Sequence, residues 1–394
     1  MKEVSCAKCG ACSVVCPVFR DSGRESHTAR GKLHLLDVLG LEKASAEFVD
    51  IFSACLLCGA CNAICPRSID VVDRLVTARN SFSSLSGPHG YEKYLARKLL
   101  EYPGSLAGLR VLAQYLPVDS GLRLRLGISE GDTALPSPKK ESQSSLSQKY
   151  SETVSWFPGC SAKYLYPDIM TTCRSLFAKN AIQLNIPESL SCCGLADWAA
   201  GDRRSAQKKA RRNIEIFEKL EGDILVSCAS CYSHLTQYPS VFETDRSWQQ
   251  RAERVASRCV ELSHGLVKYG HTQAESRPRS VLKIRVFYHE PCHLRNDAVF
   301  EDKTIQQLQA TGQVELVTLE NGSRCCGQGG LFHLAHPEIS IHIRDQLVSD
   351  VLQLQPDVVT TSCSGCLLQW QQGIKESGGR VKVLHVAQLL NLLS

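Results

Sequence analysis

Residues 6–17 read CAKCGACSVVCP, and residues 55–66 read CLLCGACNAICP. Both stretches space four cysteines as C-x2-C-x2-C-x3-C and place a proline directly after the last one. They contain eight of the 20 cysteines in a chain of 394 residues. The chain starts without the apolar core of a signal peptide, so we expect a cytoplasmic location, where clustered thiols bind metals rather than form disulfides. The two stretches therefore predict a metal-binding module near the start of the chain.

This spacing is typical of bacterial ferredoxins, in which three cysteines of a run hold one cluster and the fourth binds the other. Thiolates are soft donors that match cluster iron. Zinc is the alternative, but zinc sites usually use two CxxC pairs, and eight cysteines in this doubled order exceed that need. We therefore expect two [4Fe-4S] cubane clusters, one held by Cys6, Cys9, Cys12 and Cys65 and the other by Cys55, Cys58, Cys61 and Cys16.

The segment between the two runs has the apolar spacing of helices. Apolar residues lie near one helical face at Leu33, Leu36, Val38 and Leu39, and again at Phe48, Ile51 and Phe52. The runs are therefore predicted to belong to an all-helical ferredoxin module at residues 1–87. Arg30 and Lys32 stand at the predicted start of the first of these helices, where they either tune the clusters or are solvated surface charges.

Residues 88–150 are predicted to form a helical connector that ends in a serine-rich linker. Within it, residues 91–125 contain six basic and three acidic residues among many leucines. Such a segment either packs against a partner protein or lies on an anionic membrane surface. The sequence has no run of 18 apolar residues. We therefore expect no transmembrane segment, and at most a peripheral position on the inner face of the cytoplasmic membrane.

The second half of the chain is an internal repeat. In each copy a strand-like stretch ends in a cysteine (TVSWFPGC and KIRVFYHEPC), the tripeptide CCG follows, and a second apolar stretch ends in CxxC. Equivalent cysteines of the two copies lie 132, 133 and 135 residues apart. This pattern predicts two tandem α/β domains related by an approximate twofold axis, at residues 151–275 and 280–394. Five thiols per copy are one more than a tetrahedral zinc ion or an ordinary cubane uses, which indicates an unusual cluster.

The composition excludes several classes of protein. Hydrophobic residues make up 43% and charged residues 22% of the chain, as in ordinary globular proteins. A net charge of only +5 argues against a nucleic-acid partner. The sequence has neither a P-loop nor a G-x-G-x-x-G motif after a strand, so we expect the chain to bind no nicotinamide or flavin itself. Any flavin is then expected on a partner protein only.

The paired cysteine runs and the two CCG repeats carry a resemblance to a known group over nearly the whole chain, from Cys6 to about Leu390. The chain resembles the superfamily that contains the iron–sulfur subunits of glycolate oxidase, anaerobic glycerol-3-phosphate dehydrogenase and heterodisulfide reductase. The resemblance implies an α+β multidomain fold, with an N-terminal all-helical ferredoxin module followed by two tandem CCG cysteine-rich domains. It also implies one or two further iron–sulfur clusters, which in heterodisulfide reductases are noncubane [4Fe-4S] clusters.

The ligands that the resemblance implies form two sets of five cysteines. The first CCG set is Cys160, Cys192, Cys193, Cys228 and Cys231, and the second CCG set is Cys292, Cys325, Cys326, Cys363 and Cys366. A structural zinc ion or a single cubane in either domain remains the alternative. Cys173 and Cys259 have no motif partners and are predicted to be buried apolar residues.

The resemblance and the thiols together predict an iron–sulfur electron-transfer subunit of an oxidoreductase complex. A partner FAD-dependent dehydrogenase would oxidise a 2-hydroxy acid such as glycolate or D-lactate, and electrons would pass through the clusters to a quinone or another membrane electron carrier. Two alternatives remain open. One is a heterodisulfide or thiol–disulfide reductase subunit with the reaction at a CCG-bound cluster. The other is a non-enzymatic sensor or binding protein that holds zinc or an iron–sulfur cluster.

Polar residues near the second CCG set predict that electrons leave the protein there. His289 and His293 flank Cys292, Arg324 precedes Cys325, and Gln328 and His333 follow it. The catalytic residues are unknown from sequence, with His293 and His333 as candidates for proton supply and simple packing as the alternative. The first CCG set is followed by Ala196, Trp198 and Ala199 and is expected to be drier and to relay electrons. Lys163 and Arg324 either offset cluster charge or are solvated.

Overall fold

The structure is a computed structural model that describes residues 5–41, 44–82, 88–101, 150–270 and 283–394. Its N-terminal part is all helical, as predicted, with a 3-10 helix at Glu25–His27. The α-helices of this part are α1 (Ala11–Val15), α2 (Pro17–Ser22), α3 (Ala29–Leu39), α4 (Ala46–Ser53), α5 (Ala60–Ala63), α6 (Val71–Asn80) and α7 (Gly90–Glu101).

Side-chain caps explain where the longer N-terminal helices begin. The Thr28 hydroxyl accepts from the Gly31 amide, and Ser45 and Asp70 cap α4 and α6 in the same way. The core of the module is aromatic, because Phe48 and Phe52 stack with ring centroids 4.6 Å apart.

One detail of the predicted apolar face of α3 is wrong. Leu33 is buried and Leu36 is partly buried against the core, but Val38 and Leu39 are 64% and 52% exposed at the end of the helix. The apolar spacing therefore located the helix correctly but extended its buried face too far.

Two four-stranded parallel sheets follow, each covered by helices, which confirms the predicted α/β class. The first comprises β1 (Glu152–Phe157), α8 (Cys160–Tyr164), α9 (Pro167–Ala178), β2 (Ile182–Asn185), α10 (Leu195–Ala199), α11 (Arg203–Phe217), β3 (Ile224–Val226), α12 (Ala229–Thr236), α13 (Tyr238–Val241), α14 (Arg246–Ala256), β4 (Cys259–Glu261) and α15 (Leu262–Lys268). The second comprises β5 (Ile284–Tyr288), α16 (Cys292–Arg295), α17 (Thr304–Ala310), β6 (Val314–Val317), α18 (Phe332–Ala335), α19 (Pro337–Gln353), β7 (Val358–Thr361), α20 (Ser364–Glu376), β8 (Lys382–His385) and α21 (Val386–Leu393).

The two sheets have the same topology. Their strand orders are β2-β1-β3-β4 and β6-β5-β7-β8, and every pairing is parallel. The central strands β3 and β7 are buried throughout, as expected for a sheet with helices on both faces. In both sheets the two central strands end just before cysteines, so the thiols gather at the carboxyl edge, where ligands of open α/β sheets bind.

The repeats face each other through equivalent elements. Helix α12 of the first repeat contacts α16 of the second, and α8 of the first repeat contacts α20 of the second. Helices α12 and α20 are equivalent, and so are α8 and α16, so the second contact repeats the first with the repeats exchanged. The Ala229 amide donates to the Ser362 carbonyl across this interface at 3.0 Å. Such reciprocal contacts are those of an approximate twofold axis.

The N-terminal module packs against both repeats. The Arg79 guanidinium donates to the carbonyls of Phe52 and Cys55 within the module and to the Ala199 carbonyl of the first repeat at 2.6 Å. On the second repeat, Asn296 donates to the Cys58 carbonyl at 2.7 Å. One apolar core includes residues of the module and of both repeats. These contacts fix the cysteine runs relative to the CCG sets.

Several sequence predictions fall partly outside the described residues. The serine-rich linker and residues 102–125 of the leucine-rich segment lie there, while residues 91–101 belong to α7. The predicted domain limits at 1–87, 88–150, 151–275 and 280–394 stay predictions. None of the helices in the described part of the chain is long and apolar enough to cross a bilayer.

Candidate metal-cluster sites

The two N-terminal cysteine runs have the same local backbone. The amides of Lys8 and Leu57 approach the thiols of Cys6 and Cys55 at 3.4 and 3.5 Å. Gly10 and its counterpart in the second run both have left-handed backbones, which L side chains rarely adopt, and each precedes a short helix that carries the third cysteine. A small residue at this point lets the chain turn back so that successive thiols face one another.

The structure brings the predicted second cubane set together. Burial and the nearby charges of Cys55, Cys16 and Cys12 raise the pKa of Cys61. Burial also raises the pKa of Cys58 well above its ordinary value. Repulsion from Cys325, Cys55 and Cys61 adds smaller increases to this pKa. In the predicted first set, Cys9 is exposed, and Cys9 and Cys12 lie within electrostatic range of Arg30. Ligand assignment in both sets stays a prediction.

Lys32 and Arg30 have different surroundings. Lys32 is 1% exposed, and its ammonium donates to the His27 carbonyl at 2.5 Å. Burial lowers the pKa of Lys32, and the charges of Cys55 and Cys16 partly oppose this shift. Arg30 instead forms a surface pair with Glu25 at 2.5 Å. Lys32 is therefore placed to offset thiolate charge, and it is not a solvated residue.

The first CCG set converges at the carboxyl edge of the first sheet. The thiols of Cys160 and Cys192 lie 3.8 Å apart. Hydrogen bonds with Cys160 and Cys193 hold the pKa of Cys192 well below its ordinary value. The remaining thiols interact pairwise, Cys193 with Cys231 and Cys231 with Cys228. The five predicted ligands of this repeat thus form one continuous group.

The surroundings of the first CCG set are polar, so the expectation of a drier site is wrong. The Tyr238 hydroxyl donates to the Cys193 carbonyl at 2.8 Å, and the Asn213 amide donates to the Cys192 carbonyl at 3.2 Å. A buried ion pair joins Lys209 to Asp197 at 2.5 Å. Tyr238, Asn213 and Lys209 lie on helices away from the CCG motif, where sequence inspection next to the motif could not find them. Asp197 follows the motif by three residues, so its carboxylate was a signal that the sequence did offer.

The second CCG set has the same arrangement. Cys326 and Cys366 have their thiols 3.4 Å apart. Hydrogen bonds with Cys292 and Cys326 hold the pKa of Cys325 well below its ordinary value, as for Cys192 in the first set. His289, 1% exposed, has a ring nitrogen within 4.8 Å of the Cys326 and Cys366 thiols. Burial lowers the pKa of His289 to about 4, so the ring is neutral and able to bind a metal.

The two histidines singled out from sequence occupy different places. His293 lies between modules, with its Nδ1 2.9 Å from the Ser230 hydroxyl of the first repeat and a hydrogen bond to the backbone of Leu57. His333 bonds Gln328 and the Gly330 carbonyl through its Nδ1. Arg324 pairs with Asp350, and Lys163 is exposed above the Tyr164 ring. Proton supply by either histidine stays a prediction.

The two CCG sets meet at the interface between the repeats. Cys228 and Cys363, which occupy equivalent positions, hydrogen bond to each other. The Ser230 hydroxyl lies 3.1 Å from the Cys363 thiol, although Ser230 belongs to the CxxC motif of the other repeat. Sequence analysis missed Ser230, because nothing in one motif indicates that it contacts the other. Its position inside a CxxC motif was the only available signal.

These contacts also give the thiol sets a spatial order. Cys58 of the N-terminal module and Cys325 of the second CCG set are electrostatic neighbours. Cys363 of the second CCG set and Cys228 of the first are direct neighbours. The second CCG set is therefore a neighbour of both the N-terminal cysteines and the first CCG set.

The donor sets fit clusters of a soft metal. Thiols 3.4 to 3.8 Å apart have the separation of sulfur atoms that share one metal at the usual bond length of about 2.3 Å. Burial and neighbouring thiols raise the pKa of most thiols here, and a bound metal would reverse that shift by stabilising the thiolates. Cys173 and Cys259 lie elsewhere, buried in apolar cores.

Comparison with family models agrees with this architecture. Residues 4–69 match the 4Fe-4S dicluster domain. Residues 154–236 and 286–371 each match the CCG cysteine-rich domain. Together the two models match more than half of the chain, and they cover both N-terminal cysteine runs and both CCG sets.

The curated relatives that match this chain include a glycolate oxidase iron-sulfur subunit and lactate utilization proteins. The chain is 26% identical over 415 aligned positions to the probable glycolate oxidase iron-sulfur subunit of Bacillus subtilis (strain 168), which covers 98% of this chain and 93% of that protein. It is 27% identical over 238 positions to lactate utilization protein A of Geobacillus sp. (strain WCH70), covering 60% of this chain and 98% of that protein. The corresponding protein of Shouchella clausii (strain KSM-K16) is 29% identical over the same shares.

Proposed function

We propose that this chain, a member of the superfamily of glycolate oxidase-type iron–sulfur subunits, carries electrons within an oxidoreductase complex. Members of this superfamily combine a 4Fe-4S dicluster domain with two CCG domains, as this chain does. The observation that carries this proposal is that thiols of the N-terminal runs interact with the second CCG set, and thiols of the second set interact with the first. Iron–sulfur clusters held by such thiolates accept and release single electrons.

We assign the ligands as the sequence predicted them. The N-terminal runs would hold two cubanes through Cys6, Cys9, Cys12 and Cys65 and through Cys55, Cys58, Cys61 and Cys16. The two CCG sets would each hold a further cluster, and the fifth thiol of each set favours a noncubane type. His289 is an additional donor candidate in the second repeat, where the equivalent residue of the first repeat is Phe157.

The order of the thiol sets supports an electron exit at the first CCG set, the reverse of the order expected from sequence. Electrons would enter at the N-terminal module, where Cys9 is exposed. They would reach the second CCG set where Cys58 and Cys325 interact electrostatically, and the first where Cys363 and Cys228 are hydrogen bonded. His293 would hold this junction together through Ser230 and Leu57.

The partners are proposed from the names of the relatives. A glycolate oxidase iron-sulfur subunit and lactate utilization proteins both suggest a 2-hydroxy acid as the electron source. Since the chain has no nucleotide-binding motif, an FAD-dependent dehydrogenase subunit would oxidise that acid. A quinone or another carrier would receive the electrons.

A second candidate function is disulfide reduction at a CCG-bound cluster. The observation that favours it is that both CCG sets are complete and meet at one interface, while Cys160, Cys192 and Cys292 are only partly buried. The discriminating experiment offers a heterodisulfide and a chemical reductant to the purified chain without any flavoprotein. Turnover would establish the reductase, and no turnover would leave the electron carrier as the function.

Metal analysis tests the basis of the proposal. We expect anaerobically purified full-length protein to contain acid-labile sulfide and at least about eight iron atoms per chain, four for each cubane. The variant Cys12→Ala should lose about four of these iron atoms, because it removes a predicted cubane ligand. The matched variant Cys173→Ala should lose none, because Cys173 is buried in an apolar core. Stoichiometric zinc without sulfide would contradict the proposal and establish the zinc alternative.

Ser230 is predicted to raise the reduction potential of the second CCG site. A metal-bound Cys363 carries no proton, so the Ser230 hydroxyl would donate to it, with the His293 Nδ1 protonated and donating to the Ser230 oxygen. A hydrogen bond to a charged acceptor contributes about 1.5 kcal/mol, so Ser230→Ala should lower this potential by about 60 mV for one electron. Redox titration followed by electron paramagnetic resonance measures the shift. Ser233→Ala on the same helix is the control, since its hydroxyl contacts Gln237 and, among the described residues, no thiol. Equal potentials in both variants would contradict the prediction.

A further inference from the structure

A cavity of about 200 Å³ opens beside the first CCG set. The thiol-bearing residues Cys160 and Cys192 form part of its wall. Apolar side chains form another part, at Phe157, Pro158, Ile186 and Leu190. The cavity therefore gives a small molecule access to the edge of the first CCG set at Cys160 and Cys192.

The polar lining of this cavity is basic. Lys163, Lys208, Lys209 and Arg212 line it, and no acidic residue does so among the described residues. Lys163, Lys208 and Arg212 are exposed, whereas Lys209 is buried and pairs with Asp197. The Arg212 Nε donates to the Ser189 carbonyl at 2.7 Å, which fixes the base of this side chain at the cavity. The cavity thus concentrates positive charge at one end of an apolar surface.

The equivalent face of the second repeat is covered by the chain itself. Helix α16 corresponds to α8, and Asn296 directly after it donates to the Cys58 carbonyl of the N-terminal module. In the first repeat the equivalent position is Tyr164, which lines the cavity. No residue of the N-terminal module lines this cavity in the part of the chain that the structure describes. The first repeat therefore presents openly a face that the second repeat uses for a contact.

We propose that this cavity binds a small organic oxyanion, a carboxylate or a phosphate ester. Ammonium and guanidinium groups bind such oxygens by charge-assisted hydrogen bonds, and the apolar wall accepts the hydrocarbon part of the ligand. The bound molecule would lie against Cys160 and Cys192. This inference rests on the proposed function only in taking the first CCG set as the electron exit, which makes the cavity the place where an anionic acceptor or effector is recognised.

The experiment is anaerobic titration calorimetry on the oxidised, full-length protein with its clusters in place. Succinate and inorganic phosphate are the probes, and succinamide is the neutral counterpart of succinate. We expect one succinate or phosphate per chain and no binding of succinamide. The double variant Lys163→Ala with Arg212→Ala should weaken binding at least about tenfold, since it removes two charged donors. The matched double variant Lys219→Ala with Lys382→Ala removes two exposed lysines elsewhere and should bind as the parent does.

A second measurement places the ligand without any substitution. Succinate should protect Lys163 from acetylation by acetic anhydride, whereas Lys219 should react equally with and without it, as measured by mass spectrometry. Succinate binding without protection of Lys163 would overturn the site. Failure of the parent to bind either probe, or equal weakening in the two double variants, would also overturn it and leave the basic residues as compensation for cluster charge. Because the protein stays oxidised, these outcomes do not depend on whether electrons leave through this repeat.

Discussion

Replacing Cys228 with alanine is expected to lower electron transfer to an external acceptor by about 100-fold or more. Cys228 is a predicted ligand of the first CCG site and directly contacts Cys363 of the second. Loss of a residue that hydrogen bonds to a metal ligand commonly costs 10–100-fold in activity. Loss of a ligand where the two sets meet should cost at least as much. Stopped-flow reduction of the protein, paired with steady-state acceptor reduction, measures the effect.

The same variant tests the order of the sites. If the second CCG set receives electrons directly from the N-terminal module, its paramagnetic signal should still appear in Cys228→Ala after reduction. If the first CCG set were the relay, that signal would be lost together with acceptor reduction. Cys259→Ala is the matched control, because this buried cysteine contacts the Val255 carbonyl and no thiol, and it should retain both activities. Unchanged acceptor reduction in Cys228→Ala would show that electrons leave elsewhere.

Replacing Gly201 with alanine is expected to reduce the free energy of unfolding by about 4 kcal/mol. Gly201 has φ +79°, and an added Cβ would lie 2.3 Å from the Arg79 carbonyl carbon. The backbone strain costs about 1–3 kcal/mol and the clash a similar amount. Because the atoms that the added Cβ meets, in Arg79 and Asn80, belong to the backbone, they cannot rotate away. The contact between the N-terminal module and the first repeat must therefore open.

The variant Gly222→Ala measures the energetic cost of backbone strain in the absence of a steric clash. Gly222 has φ +74°, but nothing lies within 4 Å of an added Cβ, so only the strain remains. We expect this variant to lose about 1–2 kcal/mol. Urea unfolding followed by circular dichroism measures both variants under anaerobic conditions. Equal losses in the two variants would contradict a close backbone contact at Gly201.

Sequence alone predicted the parts of the fold that depend on local chemistry. Strands of apolar residues end at CCG-domain cysteines in both repeats, and their spacing repeats along the chain, so the two parallel sheets could be predicted. The two N-terminal runs have a fixed spacing that allows few backbone paths. In each case the information lies within a few residues of the cysteines.

The spatial order of the sites could not be predicted, because it depends on contacts between segments far apart in sequence. Asn296 and Cys58 are 238 residues apart, and neither belongs to a pattern that names the other. The polar surroundings of the first CCG set were missed for a related reason. Asn213 and Lys209 lie on a charged helix whose sequence resembles a solvent-facing one, and only packing shows that both are buried.

The contacts of Arg79 and Asn296 have a consequence for how this protein can be encoded. They join the N-terminal module to the repeats through noncovalent bonds alone, on two separate surfaces. These contacts hold the cysteine runs against the repeats independently of the peptide bonds that join the two parts. Two genes, one for the module and one for the paired repeats, could specify the same assembly, and a single gene guarantees that the two parts are made in equal amounts.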